Sequence, residues 1–286
     1  MQKTVKEIAS GIRRRVLEHT IKNNGGYLSQ ACSSAEIFAA LYTGVMKLNP
    51  VARPIKPGPF CGTPSAANNA YSPGYLFNGA HTPESDRFIL SPTHYSLVLY
   101  AALIETGRMD ASGLDDFNKD GSSVEMIGAE HSPGMEVMTG SLGQGLSQAI
   151  GMALGRRMKG ETGRTWVFMS DGEFQIGMVW EAFQFMSHYK MDNIGIYVDV
   201  NKQQCDGSMD TVVCIDPLED RLKAFGAIVR RVYGHNTDEL AAVSRTKSPG
   251  KPLVVLAETC PWQGIDILKS NAPKLHYVRF RNEEEK

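Results

Sequence analysis

Asp171 and Asn201 are the two residues whose type and spacing most clearly indicate chemistry. Each closely follows a short apolar segment of strand type, 165–169 in the first case and 194–200 in the second. If the two strands are neighbours in a parallel sheet, the carboxylate and the amide oxygen point into one crevice. Such hard oxygen donors suit Mg²⁺, which completes an octahedral shell with phosphate oxygens and water. The pair predicts a site for a magnesium-bound phosphate group, and the alternative is an ordinary Asp-Gly turn with a strand-ending asparagine.

Glycines near these residues would let a phosphate approach the backbone. Gly172 follows Asp171 directly, and the first N–H groups of the helix after it can bind an anion. A second glycine-rich element, TGSLGQGLS at 139–147, also precedes a helix. Its GxxGxG spacing differs from the dinucleotide fingerprint GxGxxG, and no clear strand comes directly before it. Gly151 and Gly155 lie one turn apart in the predicted helix, and they indicate close packing against a neighbouring element.

Alternating helices and strands must position these residues. An amphipathic first helix is predicted from the spacing of Val5, Ile8, Ile12 and Val16. Further helices are predicted at 96–107, 145–159, 176–189 and from about 238, and strands at 165–169, 194–200, 228–232 and 252–257. This β-α-β-α-β order implies an α/β fold with a doubly wound, mostly parallel sheet and helices on both faces.

The composition is that of an ordinary globular protein, with 286 residues, 42% hydrophobic and 21% charged residues and a formal net charge of −1. This charge balance provides no field that would attract nucleic acid or an anionic membrane. No segment approaches the roughly 18 apolar residues of a membrane span, and the N-terminus lacks the apolar core of a signal peptide. The five cysteines are widely spread and lack CxxC pairing, so neither a disulfide framework nor a zinc site is indicated. We expect a cytoplasmic protein.

The segment at 50–85 differs from the rest of the chain. It contains seven of the fourteen prolines, four large aromatic residues and only three charged residues. Because a flexible linker would be polar, we predict an ordered but irregular excursion that packs on the rest of the protein. A surface loop with its own small cluster is the simplest interpretation, and a role at an active site or an interface is the alternative.

Several of these residues belong to motifs that resemble those of transketolases. DGEFQ at 171–175, WEA at 180–182, DVNK at 199–202 and DG at 206–207 resemble the thiamine diphosphate motif of that family. DRFILS at 86–91 with His94, and PGMEVMTGSLGQG at 133–145, are similar to two further signatures. The match runs in order from about Ile12 to His276, but it covers only the N-terminal, diphosphate-binding domain of the family. The chain thus resembles the N-terminal subunit of a split transketolase, with 1–286 as a single thiamine diphosphate-binding domain and an irregular insertion at about 50–85.

The resemblance implies how a metal and the diphosphate would be held. Asp171, Asn201 and the backbone carbonyl of Gln203 would bind Mg²⁺, for which Ca²⁺ or Mn²⁺ could substitute. Backbone groups of Gly172 and Glu173 would meet the diphosphate, and Asn201 would belong to both the metal site and the cofactor site. These roles agree with the chemistry indicated by the two strand ends.

The resemblance also implies contacts with the rings of thiamine diphosphate. Gly140 would bond the aminopyrimidine through its carbonyl group, and Leu142 would lie near the thiazolium and support the bent cofactor. His94 and His276 match histidines that assist with substrate hydroxyls and proton transfers. An imidazole suits this role because it exchanges protons near neutral pH.

The implied reaction transfers a two-carbon ketol unit from a ketose, phosphorylated or otherwise anionic, to an aldose, with the cofactor supplying the reactive carbon. In the family, the glutamate that activates the aminopyrimidine comes from a pyrimidine-binding domain, for which 286 residues leave no room. We therefore expect a C-terminal transketolase subunit to complete the site, in an α2β2 assembly. Sugars are the expected substrates, and neither nucleic acid nor a membrane is an expected partner.

Departures from the family pattern concentrate on the substrate side. Tyr27 stands where the family has a histidine, Tyr95 follows His94 where the family has glycine, and Ile176 replaces a glutamate. His131 is a candidate substitute for the histidine of a missing Gly-His-Pro motif, and Tyr27 and His131 are the candidate substrate contacts. We therefore expect an unusual ketose or acceptor. The alternatives are a subunit similar to 1-deoxyxylulose-5-phosphate synthase or to the E1 component of 2-oxoacid dehydrogenases, and a non-catalytic paralogue that only binds the cofactor or a partner.

Overall fold

Three helices from the first third of the chain pack against one another. The computed structural model describes residues 3–286. Helix α1 (Val5–Asn23) begins at Thr4, whose hydroxyl accepts a hydrogen bond from the Glu7 N–H and so caps the first turn. Helix α2 (Leu28–Ala40) is buried along its whole length, and helix α3 (Ser96–Glu105) contacts both α1 and α2. These helices cover one face of the sheet.

Five parallel strands form that sheet. The strands of the chain are β1 (Arg87–Leu90), β2 (Thr165–Ser170), β3 (Ile194–Val200), β4 (Gln203–Gln204), β5 (Gly207–Ser208), β6 (Ile228–Tyr233) and β7 (Leu253–Glu258). The parallel sheet has the order β1-β2-β3-β7-β6, and β4 and β5 form a short antiparallel pair. Strands β2 and β3 pair up to Ser170 opposite Asp199, so both strands end at the same edge of the sheet.

Helices cover both faces of this sheet. The remaining helices are α4 (Gln144–Met158), α5 (Gly177–His188), α6 (Met209–Val212), α7 (Leu218–Ala224) and α8 (Thr237–Val243). In β7, Leu253 and Val255 join a core with α1, α2, α3 and α8, whereas Val254 and Leu256 join a second core with α4, α5 and α7. Successive side chains of a strand point to opposite faces, so a strand buried on both sides must be apolar throughout. The predicted doubly wound α/β fold is confirmed.

The predicted helices at 96–107, 145–159 and 176–189 correspond to α3, α4 and α5, and the four predicted strands correspond to β2, β3, β6 and β7. The sequence analysis missed the helices α2, α6 and α7 and the short strands β1, β4 and β5. The predicted close packing at Gly151 and Gly155 is wrong, because a Cβ atom at either position would meet no atom within 4 Å. The close approach occurs at Gly145, where a Cβ atom would lie 2.8 Å from the Ser91 Cα. The start of α4 therefore lies against the end of β1.

The segment at 50–85 is anchored at its ends and exposed in its middle. Two isolated β-bridges tie its first part to the protein, Ile55 with Met109 and Pro59 with Ser122. A short 3₁₀ helix at Gly74–Asn78 places Phe77 in the core, where it is 5% exposed. Residues 61–72 are mostly exposed. The segment thus packs on the rest of the protein, as predicted, through its two ends.

All five cysteines within residues 3–286 are free thiols. None of the helices in that part of the chain combines the length and the apolar character that crossing a membrane requires.

Candidate active site

A cavity of about 220 Å³ lies at the carboxyl ends of β2 and β3. The structure brings together in its wall seven residues that the sequence predicted: His94, Leu142, Asp171, Gly172, Asn201, Gln203 and His276. The other lining residues are Ser29, Gln30, Tyr95, Ser170, Gln204 and Cys205. Ligands of doubly wound sheets bind beyond the carboxyl ends of the strands, and this cavity lies in that place.

Asp171 is the most deeply buried charged group in the wall. It begins the 3₁₀ helix Asp171–Gln175 and is 2% exposed. Its Oδ2 accepts a hydrogen bond from the Lys202 N–H at 2.8 Å, whereas its Oδ1 has no hydrogen-bond partner within residues 3–286. Burial, and then the nearby Asp199 carboxylate, hold the pKa of Asp171 well above its ordinary value. A cation beside Oδ1 would offset both effects.

Asn201 and Gln203, which line the same cavity as Asp171, carry amide oxygens. Asn201 Oδ1 accepts a hydrogen bond from the Gln203 N–H at 2.9 Å. The side-chain Oε1 of Gln203 is buried and, in the described part of the chain, has no partner. A buried polar atom without a partner is rare in proteins and calls for an ion, a water or a ligand. Because carboxylate and amide oxygens are the ligands that Mg²⁺ prefers, the residues present fit a magnesium ion.

Asp199 lies beneath these residues and connects several elements. Its Oδ2 accepts hydrogen bonds from Ser33 Oγ at 2.5 Å, from the Tyr95 hydroxyl at 2.8 Å and from Asn201 Nδ2 at 3.1 Å. The Thr259 hydroxyl donates to Oδ1. Although these donors favour the ionised form, burial is the larger effect and raises the pKa of Asp199. Sequence reasoning did not assign Asp199 a role, although a carboxylate inside an otherwise apolar strand is an available signal.

The Glu173 side chain points away from the cavity into a junction of three segments. Its carboxylate accepts hydrogen bonds from the Gly143 N–H and the Ser170 N–H, each at 3.0 Å, and from Ser91 Oγ at 2.5 Å. It thereby joins the loop before α4 to the ends of β1 and β2. The resemblance implies a diphosphate contact through the backbone of Glu173, and the position of the side chain is compatible with that.

An aromatic cluster closes one end of the cavity. The rings of His94 and His276 lie 4.9 Å apart, and the Tyr27 ring lies 5.9 Å from the first and 5.4 Å from the second. Loss of hydration, and then the neighbouring His276, lower the pKa of His94 to about 3. Burial also lowers the pKa of His276. Both rings are therefore neutral at physiological pH, so each has one nitrogen that accepts a hydrogen bond and one N–H that donates a hydrogen bond.

Three more predicted residues lie outside the lining of this cavity. Tyr27 contributes to the wall of a second cavity of about 220 Å³, which it shares with Tyr277. His131 Nε2 lies 2.9 Å from Glu125 Oε2, and its ring centroid is 4.6 Å from that of Phe60 in the insertion. Gly140 is exposed in the loop before α4. The roles of these residues stay predictions.

Residues 56–276 match the family described as transketolase, thiamine diphosphate binding domain. The chain is 34% identical to the 6-deoxy-6-sulfo-D-fructose transketolase subunit SqwG of Clostridium sp. (strain MSTE9), over 90% of this chain and 84% of that protein. It is 30% identical to an apulose-4-phosphate transketolase subunit of Actinobacillus succinogenes, over 96% of this chain and 91% of that protein. Both relatives are named as subunits, and the alignments cover most of each.

Solved transketolases share the fold. The transketolase of Campylobacter jejuni superposes with a TM-score of 0.73 at 23% identity, and that of Leishmania mexicana with a TM-score of 0.72 at 23% identity. The superpositions cover 89% and 91% of this chain but 37% of each solved chain, so this chain spans little more than a third of their length. The family match and the similarity to both subunits show that the chain belongs to the transketolase family, in which it corresponds to the thiamine diphosphate-binding domain.

Proposed function

We propose that this chain is the diphosphate-binding subunit of a two-subunit transketolase, which moves a two-carbon ketol unit from a ketose to an aldose. The observation that carries the proposal is the unpaired Oδ1 of Asp171 in a cavity that Asn201 and Gln203 also line. A buried carboxylate oxygen without a partner supports a cation ligand, and the family match supports a diphosphate beside that cation. The cation in this proposal is Mg²⁺, and the chain acts as a single domain.

The proposal assigns a role to each group in the cavity. Asp171, Asn201 and the backbone carbonyl of Gln203 hold Mg²⁺, and the backbone N–H groups of Gly172 and Glu173 contact the diphosphate. Thiamine diphosphate held by these residues would supply the carbon nucleophile that two-carbon transfer from a ketose to an aldose requires.

His94 and His276 assist hydrogen bonding and proton transfer at the hydroxyl groups of the sugar. A ring nitrogen of neutral His94 or His276 can accept a hydrogen bond from a substrate hydroxyl, and because a pKa of about 3 makes His94 a weak base, His276 is the proposed proton acceptor. Both rings line the cavity with their centroids 4.9 Å apart, which supports a joint role toward one sugar.

Exposed apolar side chains near the cavity support a partner subunit that completes it. Leu142 lines the cavity and is 41% exposed, and Ile127, which lies against Gly140, is 59% exposed. Large exposed apolar side chains that lie close together are typical of a surface that another protein covers. In the proposal, a C-terminal subunit with a pyrimidine-binding domain covers them, provides the carboxylate for the aminopyrimidine and assembles with this chain as α2β2. The carbonyl of Gly140 bonds the aminopyrimidine, and Leu142 supports the thiazolium.

The proposed donor is an anionic ketose. The two relatives are named for 6-deoxy-6-sulfo-D-fructose and for apulose 4-phosphate, both of which carry an anionic group. Tyr27 supports a role in the choice of sugar, because its ring contacts both histidines and also forms part of the wall of the second cavity. His131 contacts Phe60 of the insertion, and we propose it as a second, more distant contact for the sugar.

Removal of the divalent cation tests the cofactor site. The assembled protein is treated with EDTA and titrated with thiamine diphosphate in a calorimeter, before and after Mg²⁺ is added back. We expect binding only when Mg²⁺ is present, because the diphosphate and the Asp171 carboxylate would otherwise repel each other. Equally tight binding in EDTA would eliminate the proposed metal site, and no binding under either condition would contradict the proposed function.

A further inference from the structure

Tyr95 places a phenol directly beside the proposed metal ligands. It ends the 3₁₀ helix Thr93–Tyr95 ahead of α3, and it is 1% exposed. Its ring packs edge-on against Phe168 with the centroids 4.9 Å apart, which fixes the direction of the hydroxyl. Tyr95 also lines the cavity that contains Asp171 and Asn201. Since the transketolases that the sequence resembles have glycine after this histidine, the phenol is a feature of this chain.

Three polar groups form a closed triangle at this point. The Tyr95 hydroxyl donates to Asp199 Oδ2 at 2.8 Å, and Asn201 Nδ2 donates both to that oxygen at 3.1 Å and to the Tyr95 oxygen at 3.2 Å. Because the two acceptor oxygens lie only 2.8 Å apart, they lie on the same side of Nδ2 and share one of its N–H groups. A reversed amide would place Asn201 Oδ1 against a carboxylate oxygen that can only accept, so the reversed orientation is strongly disfavoured.

The orientation of the nitrogen fixes that of the oxygen. With Nδ2 held by Tyr95 and Asp199, Asn201 Oδ1 points to the opposite side, where it accepts from the Gln203 N–H at 2.9 Å. Asn201 lines the same cavity as Asp171, whose Oδ1 has no hydrogen-bond partner within residues 3–286. An octahedral Mg²⁺ tolerates little variation in ligand direction, so an amide that is held in place binds it better than one that rotates.

We propose that Tyr95 is a positioning residue of the metal site, whose hydroxyl holds the Asn201 amide with its oxygen toward the cation. The inference rests on the proposed function, because it assumes that a cation binds between Asp171 and Asn201. In this proposal Tyr95 is not itself a ligand of the cation. Its hydroxyl acts through Asn201 and through the Asp199 carboxylate that both residues share.

The variant Tyr95→Phe keeps the ring and its packing and removes only the hydroxyl. Tyr100→Phe is the matched control, since Tyr100 lies on the following helix α3, is equally buried and donates its hydroxyl to the Glu125 carbonyl away from the cavity. Each full-length chain, assembled with its partner subunit, is titrated with Mg²⁺ at saturating thiamine diphosphate, and binding is followed by tryptophan fluorescence. Thermal unfolding without Mg²⁺ measures any general loss of stability.

We expect Tyr95→Phe to weaken Mg²⁺ binding by roughly three- to tenfold, the effect of losing one hydrogen bond. Tyr100→Phe should bind Mg²⁺ like the wild type even if its unfolding temperature falls by a similar amount. The same titration with Ca²⁺ should show a smaller loss for Tyr95→Phe, because Ca²⁺ accepts more flexible ligand geometry. A merely structural role of Tyr95 would not change the preference for Mg²⁺ over Ca²⁺.

Two results would overturn the inference. One is Mg²⁺ binding by Tyr95→Phe within twofold of the wild type, and the other is an equal loss in both tyrosine variants. The variant Asp171→Ala separates this inference from the proposed function. If Asp171→Ala keeps its Mg²⁺-dependent binding, the proposed metal site itself is wrong, whereas loss in Asp171→Ala together with normal binding in Tyr95→Phe contradicts only the role of Tyr95.

Discussion

The imidazole rings of His94 and His276 lie 4.9 Å apart, although one follows β1 and the other lies near the end of the chain. Loss of hydration and this proximity lower the pKa of His94 to about 3, so that its ring stays unprotonated at neutral pH. A protonated His94 would be poorly solvated and would face a second imidazole. The fold therefore keeps the His94 ring neutral, so that one ring nitrogen can accept a hydrogen bond.

The lowered pKa of His94 predicts a dependence of stability on pH. In the unfolded chain a histidine takes up a proton below about pH 6.5, whereas in the folded chain His94 does so only near pH 3. Between these values the unfolded state binds the additional proton, so the free energy of unfolding should fall as the pH is lowered through this window. Urea unfolding at pH 7.5 and pH 5 should show this loss, and the loss should be smaller in His94→Gln. An unchanged pH dependence in that variant would contradict the lowered pKa.

His276→Ala should reduce turnover far more than it changes folding. Proton transfer by a positioned side chain is typically worth about a hundred- to ten-thousand-fold in rate, and we expect a loss of kcat within that range. His188→Ala is the control, because His188 is exposed at the end of α5 and does not line the cavity. The measurements are kcat and the unfolding temperature of the assembled enzyme. Comparable losses of kcat in both variants would leave His276 with a structural role only.

Asp171→Ala should fold but no longer retain thiamine diphosphate. The substitution removes the one charged oxygen ligand from the proposed octahedral site and leaves the diphosphate without its cation. It also removes a buried carboxylate whose ionised form is disfavoured, so the fold should tolerate the loss. Asp210→Ala, at an exposed position of the neighbouring helix α6, should bind the cofactor normally. Wild-type affinity of Asp171→Ala in calorimetric titration would refute the metal assignment.

The strand ends of the candidate site could be predicted from the sequence because buried parallel strands have a strong apolar pattern. Strands β2 and β3 pair residue by residue, and Asp171 and Asn201 follow them at the same edge of the sheet. Helix α2 was missed for the opposite reason. It is buried on all sides, and its polar residues are satisfied by distant partners, as when Ser29 donates to the Leu275 carbonyl, so no polar face marks it as a helix.

Contacts between distant segments could not be predicted from a single sequence. Asp199 accepts hydrogen bonds from the Ser33 and Thr259 hydroxyls, and Glu173 accepts one from the Gly143 N–H. No local sequence pattern connects the members of these pairs. The orientation of a side chain is equally hidden, so the sequence did not indicate that the Glu173 carboxylate points away from the cavity. Such hydrogen bonds depend on how the finished sheet brings its loops together.

The middle of the insertion should affect the choice of sugar more than the fold. Replacing residues 61–72 by a short Gly-Ser linker removes mostly exposed residues, whereas a deletion that included Phe77 would remove part of the core. The assembled wild-type enzyme should prefer a ketose with a modified tail over xylulose 5-phosphate when both compete. The linker variant should lose part of that preference and still assemble. Equal use of the two ketoses by both proteins would show that the insertion is only structural.

Reconstitution of ketol transfer from separate subunits tests the central claim most directly. The purified chain, free of contaminating transketolase, is assayed with Mg²⁺ and thiamine diphosphate for two-carbon transfer from an anionic ketose to an aldose. The assay is run with this chain by itself, with its C-terminal partner by itself and with both together. We predict transfer only in the mixture, because in the proposed function the partner subunit provides the carboxylate for the aminopyrimidine. Robust transfer by this chain without the partner, or no transfer by an assembled complex that has bound thiamine diphosphate, would contradict that claim.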